Sequence, residues 1–164
     1  MGIPVGQYDK EIIRRTKELI ESYEGEFTIT LLMNSLLSLI VLPKEFSKDR
    51  NMKFLDDLIV DVDVVKTVIS KKDFLFKEGV HSEKGKPDIP NPRNLDNLLR
   101  KIRNGISHQH ITPISSGLNK WTGVILKDFN SNNHSQGLHI EFTIAELKEF
   151  ALYIANSYLL EVKK

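Results

Sequence analysis

The run Ile29–Leu42 constrains this chain more than any other segment, because it is almost continuously apolar, interrupted by Thr30, Asn34, Ser35 and Ser38. It falls short of the roughly 20 residues that a membrane-spanning helix needs, so it predicts a helix buried at the centre of a bundle. Thr28 or Thr30 can cap its start, and Pro43 is expected to stop it. Such a helix needs amphipathic neighbours. Between Asp9 and Glu24, Ile12, Ile13, Leu19, Ile20 and Tyr23 recur near helical spacing, and Glu24-Gly25 ends the pattern. Over Asn51–Ser70, Phe54, Leu55, Leu58, Ile59, Val62, Val65 and Ile69 also fit a helix, although the β-branched stretch Ile59–Val65 alternates like a strand. Thr143-Ile144-Ala145-Glu146 matches a capping box, from which a last amphipathic helix is predicted to run to about Val162.

Gly79–Arg93 carries Gly79, Gly85, Pro87, Pro90 and Pro92, which suit neither a helix interior nor a central strand, so a long loop is expected there. Asn94 or Asp96 then caps a helix continuing to about His108 or His110, with Thr112-Pro113 marking its end. Trp121–Phe129 and Leu138–Phe142 are β-rich and flank the turn-forming Asn130–Gly137, which predicts a hairpin. The expected fold is therefore all-α: an up-and-down bundle of four to five helices, with a small β-hairpin before the last helix. A single domain over residues 1–164 is expected.

Lys and Arg number 23 against 22 Asp and Glu, for a formal charge of +1, so any contact with nucleic acid must come from a local patch. Cysteine is absent, which excludes disulfides, thiolate metal sites and thiol nucleophiles. Met1–Gly6 has neither a basic n-region nor an apolar h-region, and a cytoplasmic location without membrane association is expected.

The local patch lies in Leu98–His110. At about 100° per residue, Leu95, Leu98, Leu99, Ile102 and Ile106 gather on one side of the predicted helix, and that side is core. Arg100, Asn104, Ser107 and His108 fan across the other side with Arg103 at its border, and no carboxylate within the helix segment neutralises them. Arginine offers planar bidentate donors to phosphate oxygens, and histidine moves protons near neutral pH. Cleavage of RNA without a metal asks for these groups: a base for the 2′-hydroxyl proton, a cation for the charge developing on phosphorus, and an acid for the departing 5′-oxygen. Arg103 and His108 stand roughly 140° apart around the helix, so a phosphate between them fits best in a cleft whose other wall is the same helix of a second subunit.

Arg103-Asn104-Gly105-Ile106-Ser107-His108, preceded by the basic Arg100-Lys101, resembles the signature of the HEPN superfamily. In that superfamily an arginine, then a polar residue, and a histidine four to six positions after the arginine sit on a late helix of a small bundle. The inserted hairpin suggests a plasmid- or phage-associated branch. The resemblance implies a metal-independent endoribonuclease whose site forms across a homodimer and whose products end in a 2′,3′-cyclic phosphate and a 5′-hydroxyl. Carried onto this sequence, Arg103 would bind and polarise the scissile phosphate, Asn104 would position it or its partner side chains, and His108 would be the general acid/base. Arg100, Lys101, Ser107 and His110 are further candidates for contact with RNA, and His110 is a second candidate acid/base. No cofactor and no metal are implied. Members act as toxins of toxin–antitoxin modules, in antiviral defence and in RNA processing, so an antitoxin or a nucleotidyltransferase is a candidate partner.

Blander readings stand beside these. His108 could be a helix-end histidine interacting with the helix dipole, and Arg103 alone a surface residue. Gly105 suggests a surface that another helix or an RNA backbone approaches closely. Asp56, Asp57, Asp61 and Asp63 could suggest a metal-dependent nuclease, but on one helix Asp57 and Asp61 share a face that Asp56 and Asp63 do not, which favours a solvated acidic surface. His81, His134 and His139 have no metal-ligand spacing, and His108-x-His110 would diverge on a helix. Lys84, Lys86 and Arg93 could guide RNA from the long loop or simply be solvated. The competing functional class is a non-catalytic HEPN-like module that binds RNA, a nucleotide or a protein partner.

Overall fold

Ile13 and Ile20 form the buried stripe of the first helix, α1 (Tyr8–Ser22), whose outer face is laced by ion pairs of Arg14 with Glu11 and Glu18, Arg15 with Glu11, and Lys17 with Glu21. The computed structural model describes residues 8–47, 52–77, 80–81, 89–90, 93–117, 120–130 and 133–162. The apolar run becomes α2 (Thr28–Ser47), with Ile29, Leu32, Met33, Leu36, Leu39 and Ile40 buried against α1 and the later helices α4 (Leu95–Ser107) and α5 (Ile144–Val162). Burial of each such side chain stabilises the fold by about 1.5–3 kcal/mol, which makes this helix the centre of the core. It does not stop at Pro43: the ring removes one backbone donor near the helix end, and the last turn continues to Ser47.

The single helix expected over Asn51–Ser70 is divided. A 3-10 turn (Lys53–Asp56) takes its first N–H groups to the Glu161 carboxylate, from Lys53 N at 2.8 Å and Phe54 N at 3.0 Å. After it Leu58 bridges Asn94 at the start of the motif helix, through Ile59 N to Arg93 O at 3.0 Å and Leu95 N to Asp57 O at 2.9 Å, and the chain then turns, with Asp61 N donating to Leu58 O at 2.8 Å. Only Asp63–Ile69 is helical, as α3. Asp56, Asp57, Asp61 and Asp63 therefore lie on no common helix face, and Asp63 pairs with Lys66 at 2.5 Å.

The all-α expectation is corrected by a four-stranded antiparallel sheet, so the fold is mixed α/β. Its strands are β1 (Leu75–Lys77), β4 (Ile111–Ser115), β5 (Trp121–Asn130) and β6 (Asn133–Thr143), in the order β1-β6-β5-β4. A separate pair, β2 (Val80–His81) and β3 (Ile89–Pro90), lies within the predicted long loop. The hairpin β5–β6 is the one foreseen, lengthened at both ends and joined by two short edge strands. Edge strand β4 contains Pro113, which reads as a helix stop. The bond from Lys127 N to His110 O, at 3.1 Å, sets the alternation so that Thr112 and Ile114 face β5 and Pro113 points its nitrogen at the free edge. Proline there costs no ladder bond and blunts the edge against further pairing.

One face of the sheet is core. Val124, Leu126, Leu138, Ile140 and Phe142 are buried beneath α4 and α5, with Phe142 stacked on Phe150 at 5.4 Å between ring centroids, and Phe76 of β1 is buried beside them. The capping box forms as expected: Thr143 N donates to Glu146 Oε2 at 2.7 Å, and Glu146 N donates to Thr143 Oγ1 at 3.2 Å. Tyr158 of α5 donates to the buried carboxylate of Asp9 in α1. No helix among the described residues is long and apolar enough to cross a membrane.

Candidate active site

Helix α4 is fixed at both ends before any of its polar residues is placed. Asn94 caps its start by accepting from Asn97 N at 3.1 Å, and its bridge to Leu58 holds the same end. At the other end Gln109 adopts φ 58°, Gln109 N donates to Ile106 O at 3.1 Å, and His110 N donates to Gly105 O at 2.8 Å. This is a Schellman closure, in which a left-handed residue turns the chain sharply away from the helix axis. The chain enters β4 at once. His110 is therefore off the helix, and its ring lies 5.9 Å from that of His108 between centroids, tilted by 32°. The divergence expected of a His-x-His pair on one helix does not occur, because the two rings belong to different elements.

Leu95, Leu98, Leu99, Ile102 and Ile106 are buried as the helical spacing requires. Gly105 is buried too, against the sheet: a Cβ built on it would stand 2.8 Å from the carbonyl oxygen of Lys127. Helix and strand can approach this closely because position 105 has no side chain. The close approach expected at Gly105 is thus to the chain's own β5.

That approach delivers a carboxylate to the motif. Asp128 follows Val124 and Leu126 on the inward register of β5, and only 9% of it is exposed. Its backbone is further shaped by Gly137, opposite Phe129, where φ is +142° and a Cβ would collide with Asp128 O. Asn104 Nδ2 donates to Asp128 Oδ2 at 3.3 Å, and Asn104 Oδ1 accepts from Arg103 Nη2 at 2.8 Å and Nε at 3.3 Å. Lys101 Nζ lies 3.1 Å from Asp128 Oδ2, with both side chains largely buried. The segment Leu98–Ser107 of the helix carries no acid, but the strand beside it does. An acid in a buried register of an apolar strand was the signal that could have found Asp128 in the sequence.

The candidate residues therefore separate into layers. Arg103 and Asn104 are joined, half-buried, and tied through Asp128 to Lys101, while Ser107, His108 and His110 are exposed at the end of the helix. Arg100 reaches Asn97 Oδ1 at 3.4 Å one turn earlier. Among the described residues, Arg103 has no carboxylate partner to cancel its charge. Its Nε–H and one Nη2–H are taken by Asn104, which leaves the Nη1 donors and the second Nη2–H for a ligand. Two or more such donors in one plane match a phosphate.

The other candidates lie apart. Among the described residues no three His, Asp or Glu side chains come together as a metal site. His139 is half-buried in β6, opposite Lys127, whereas the side chains of His81 and His134 lie outside what the structure describes. Lys84 and Lys86 also fall outside the described residues, and Arg93 is placed 5.9 Å from the ring centroids of Phe74 and Phe76. A groove of about 920 Å³ opens at the far end of β5 beside Phe27, Lys120 and Trp121 and contains none of the motif residues.

Comparison with known proteins gives the family. No curated protein and no solved structure matches the chain. A family model described as HEPN pEK499 p136 matches residues 1–164. The chain belongs to this HEPN family.

Proposed function

We propose that the protein is a metal-independent endoribonuclease of HEPN type. The observation that supports this most is the Arg103 guanidinium, oriented by Asn104, without a carboxylate partner among the described residues, on the helix that ends in the exposed His108. Arg103 binds the scissile phosphate and meets the charge that develops on it. His108 carries proton transfer: the 2′-oxygen loses its proton and bonds to phosphorus as the P–O5′ bond breaks, and the departing 5′-oxygen is protonated. The products are a 2′,3′-cyclic phosphate and a 5′-hydroxyl, and no electron is gained or lost. His110 lies close enough to His108 to share in the proton transfers, and Ser107 and Arg100 flank the strand of RNA. Arg103 and His108 border opposite sides of the exposed helix face, which favours a homodimer in which two such helices wall one cleft. A toxin–antitoxin or antiviral setting, with an antitoxin or nucleotidyltransferase as partner, is the biological role we attach to it.

The test is incubation of RNA with purified wild type and His108→Ala, each with and without EDTA, followed by analysis of the ends. Wild type is expected to leave cyclic-phosphate ends and folded His108→Ala to leave the RNA intact. Intact RNA with both proteins would instead favour a binding module, and loss of wild-type cleavage on adding EDTA would overturn the metal-independent chemistry.

A further inference from the structure

We infer that Asp128 is a positioning residue of this site, setting the plane of the Arg103 guanidinium through the side-chain amide of Asn104; this rests on the reading of Arg103 as the phosphate-binding group. The argument begins with the amide. Asn104 stands between a carboxylate, which only accepts, and a guanidinium, which only donates, so one orientation alone satisfies both neighbours: Nδ2 toward Asp128 at 3.3 Å and Oδ1 toward Arg103 at 2.8 Å and 3.3 Å. Without the carboxylate the amide is free to turn, and in the turned state its NH₂ would oppose the guanidinium donors.

A carboxylate so close to a phosphate site is unexpected, since its charge should compete with the phosphate for arginine. Here it does not. Lys101 Nζ lies 3.1 Å from Asp128 Oδ2, so the negative charge is met by a lysine on the core side of α4 and reaches Arg103 only through a neutral amide. Lys101 is accordingly committed to the strand, and the site presents the arginine with its free donors outward. Gly105 and Gly137 maintain the arrangement from either side, by allowing α4 to approach β5 and by shaping the backbone at Asp128.

The experiment compares wild type, Asp128→Ala, Asp128→Asn, Asn104→Ala and the Asp128→Ala/Asn104→Ala double variant. It has two readouts: RNA-cleavage kinetics, and the solvent exchange of the Arg103 Nε–H signal measured by NMR. Asp128→Ala is expected to lower kcat by about 10- to 100-fold, the loss typical of groups that orient a functional ligand, with KM changed by less than about twofold. Asp128→Asn, whose amide oxygen can still accept from Asn104, should recover most of that loss. Adding Asp128→Ala to Asn104→Ala should cost nothing further, because the two act in series. Nε–H exchange should quicken in Asp128→Ala.

If Asp128→Ala does not fold, Lys101→Met/Asp128→Leu removes the pair without leaving a lone buried charge and gives the same readouts. Unchanged kcat and unchanged Nε–H exchange in folded Asp128 variants would overturn the inference, as would full additivity with Asn104→Ala. If wild type cleaves no RNA while Nε–H exchange still quickens in Asp128→Ala, the nuclease reading fails and the positioning role stands.

Discussion

The Lys127 carbonyl oxygen occupies the space that a side chain at Gly105 would need: a Cβ there would stand 2.8 Å away, against backbone that cannot swing aside. Alanine at a helix-interior glycine normally stabilises by about 1 kcal/mol. In this helix the gain is opposed by overpacking, which costs about 1–3 kcal/mol when the neighbours must move. Gly105→Ala is expected to lower stability by a net ~1 kcal/mol in chemical denaturation. RNA cleavage should fall further than stability does, because a shift of α4 away from β5 lengthens the 3.3 Å bond between Asn104 and Asp128. A stabilised variant with wild-type cleavage would contradict both parts.

Gln109 is the non-glycine residue at which the described backbone has positive φ, at 58°. Its N–H bond to Ile106 O and the His110 bond to Gly105 O close the helix regardless of its side chain. Glycine adopts this conformation without the crowding of Cβ, which costs roughly 1–2 kcal/mol in other residues, but it loses more chain entropy on folding. Gln109→Gly is accordingly expected to raise stability by about 0.5–1 kcal/mol, seen as a higher Tm. A lower Tm would show that the Gln109 side chain contributes more than its backbone costs.

Periodicity made four of the helices legible, misread Asn51–Ser70 as one helix, and left the sheet half-read. The buried stripe of α4, the Thr143–Glu146 capping box and the β5–β6 hairpin follow from local pattern, because local geometry alone creates them. Strands β1 and β4 do not. The first is three residues long, and the second contains a proline that is acceptable only at a sheet edge, a fact about its neighbours that the segment itself does not encode. Arg103, Asn104 and His108 could be found because they share one helix. Asp128 could not be joined to them without knowing that Gly105 lets β5 approach, and the His108–His110 contact depended on a left-handed turn at a glutamine, a residue with no strong preference for it.

The acid limb of stability should carry the mark of Glu146. Burial raises its pKa, but hydrogen bonds from Lys71 and from the backbone and side chain of Thr143 outweigh that, and the net shift is downward from 4.5. A carboxyl with a folded pKa below its unfolded value contributes stability that is complete above the unfolded value and lost as pH falls through the folded one. Glu146→Gln should therefore be less stable than wild type by about 1 kcal/mol at pH 7, the usual worth of a helix cap. The gap should close once the pH drops below the folded pKa. Denaturation curves at pH 7 and pH 3 test this, and a gap of equal size at both values would mean that the carboxylate charge is not its source.

The hydrogen bond from Tyr158 to Asp9 joins α5 to α1 across almost the whole length of the chain, between side chains that are 0% and 2% exposed. Removing only the hydroxyl leaves a buried carboxylate short of one donor, and such a loss costs about 1–3 kcal/mol, more than the bond itself contributes net. Tyr158→Phe is expected to destabilise by that amount with little change in core volume. Asp9→Asn retains an acceptor oxygen for the tyrosine and should cost less. In a cycle built from Tyr158→Phe and Asp9→Leu the two losses should not add, since removing both partners of a buried bond avoids the orphaned group that makes each single change expensive. Additive losses in a double-mutant cycle would mean that Tyr158 and Asp9 are stabilised by other neighbours and that the bond between α1 and α5 contributes little.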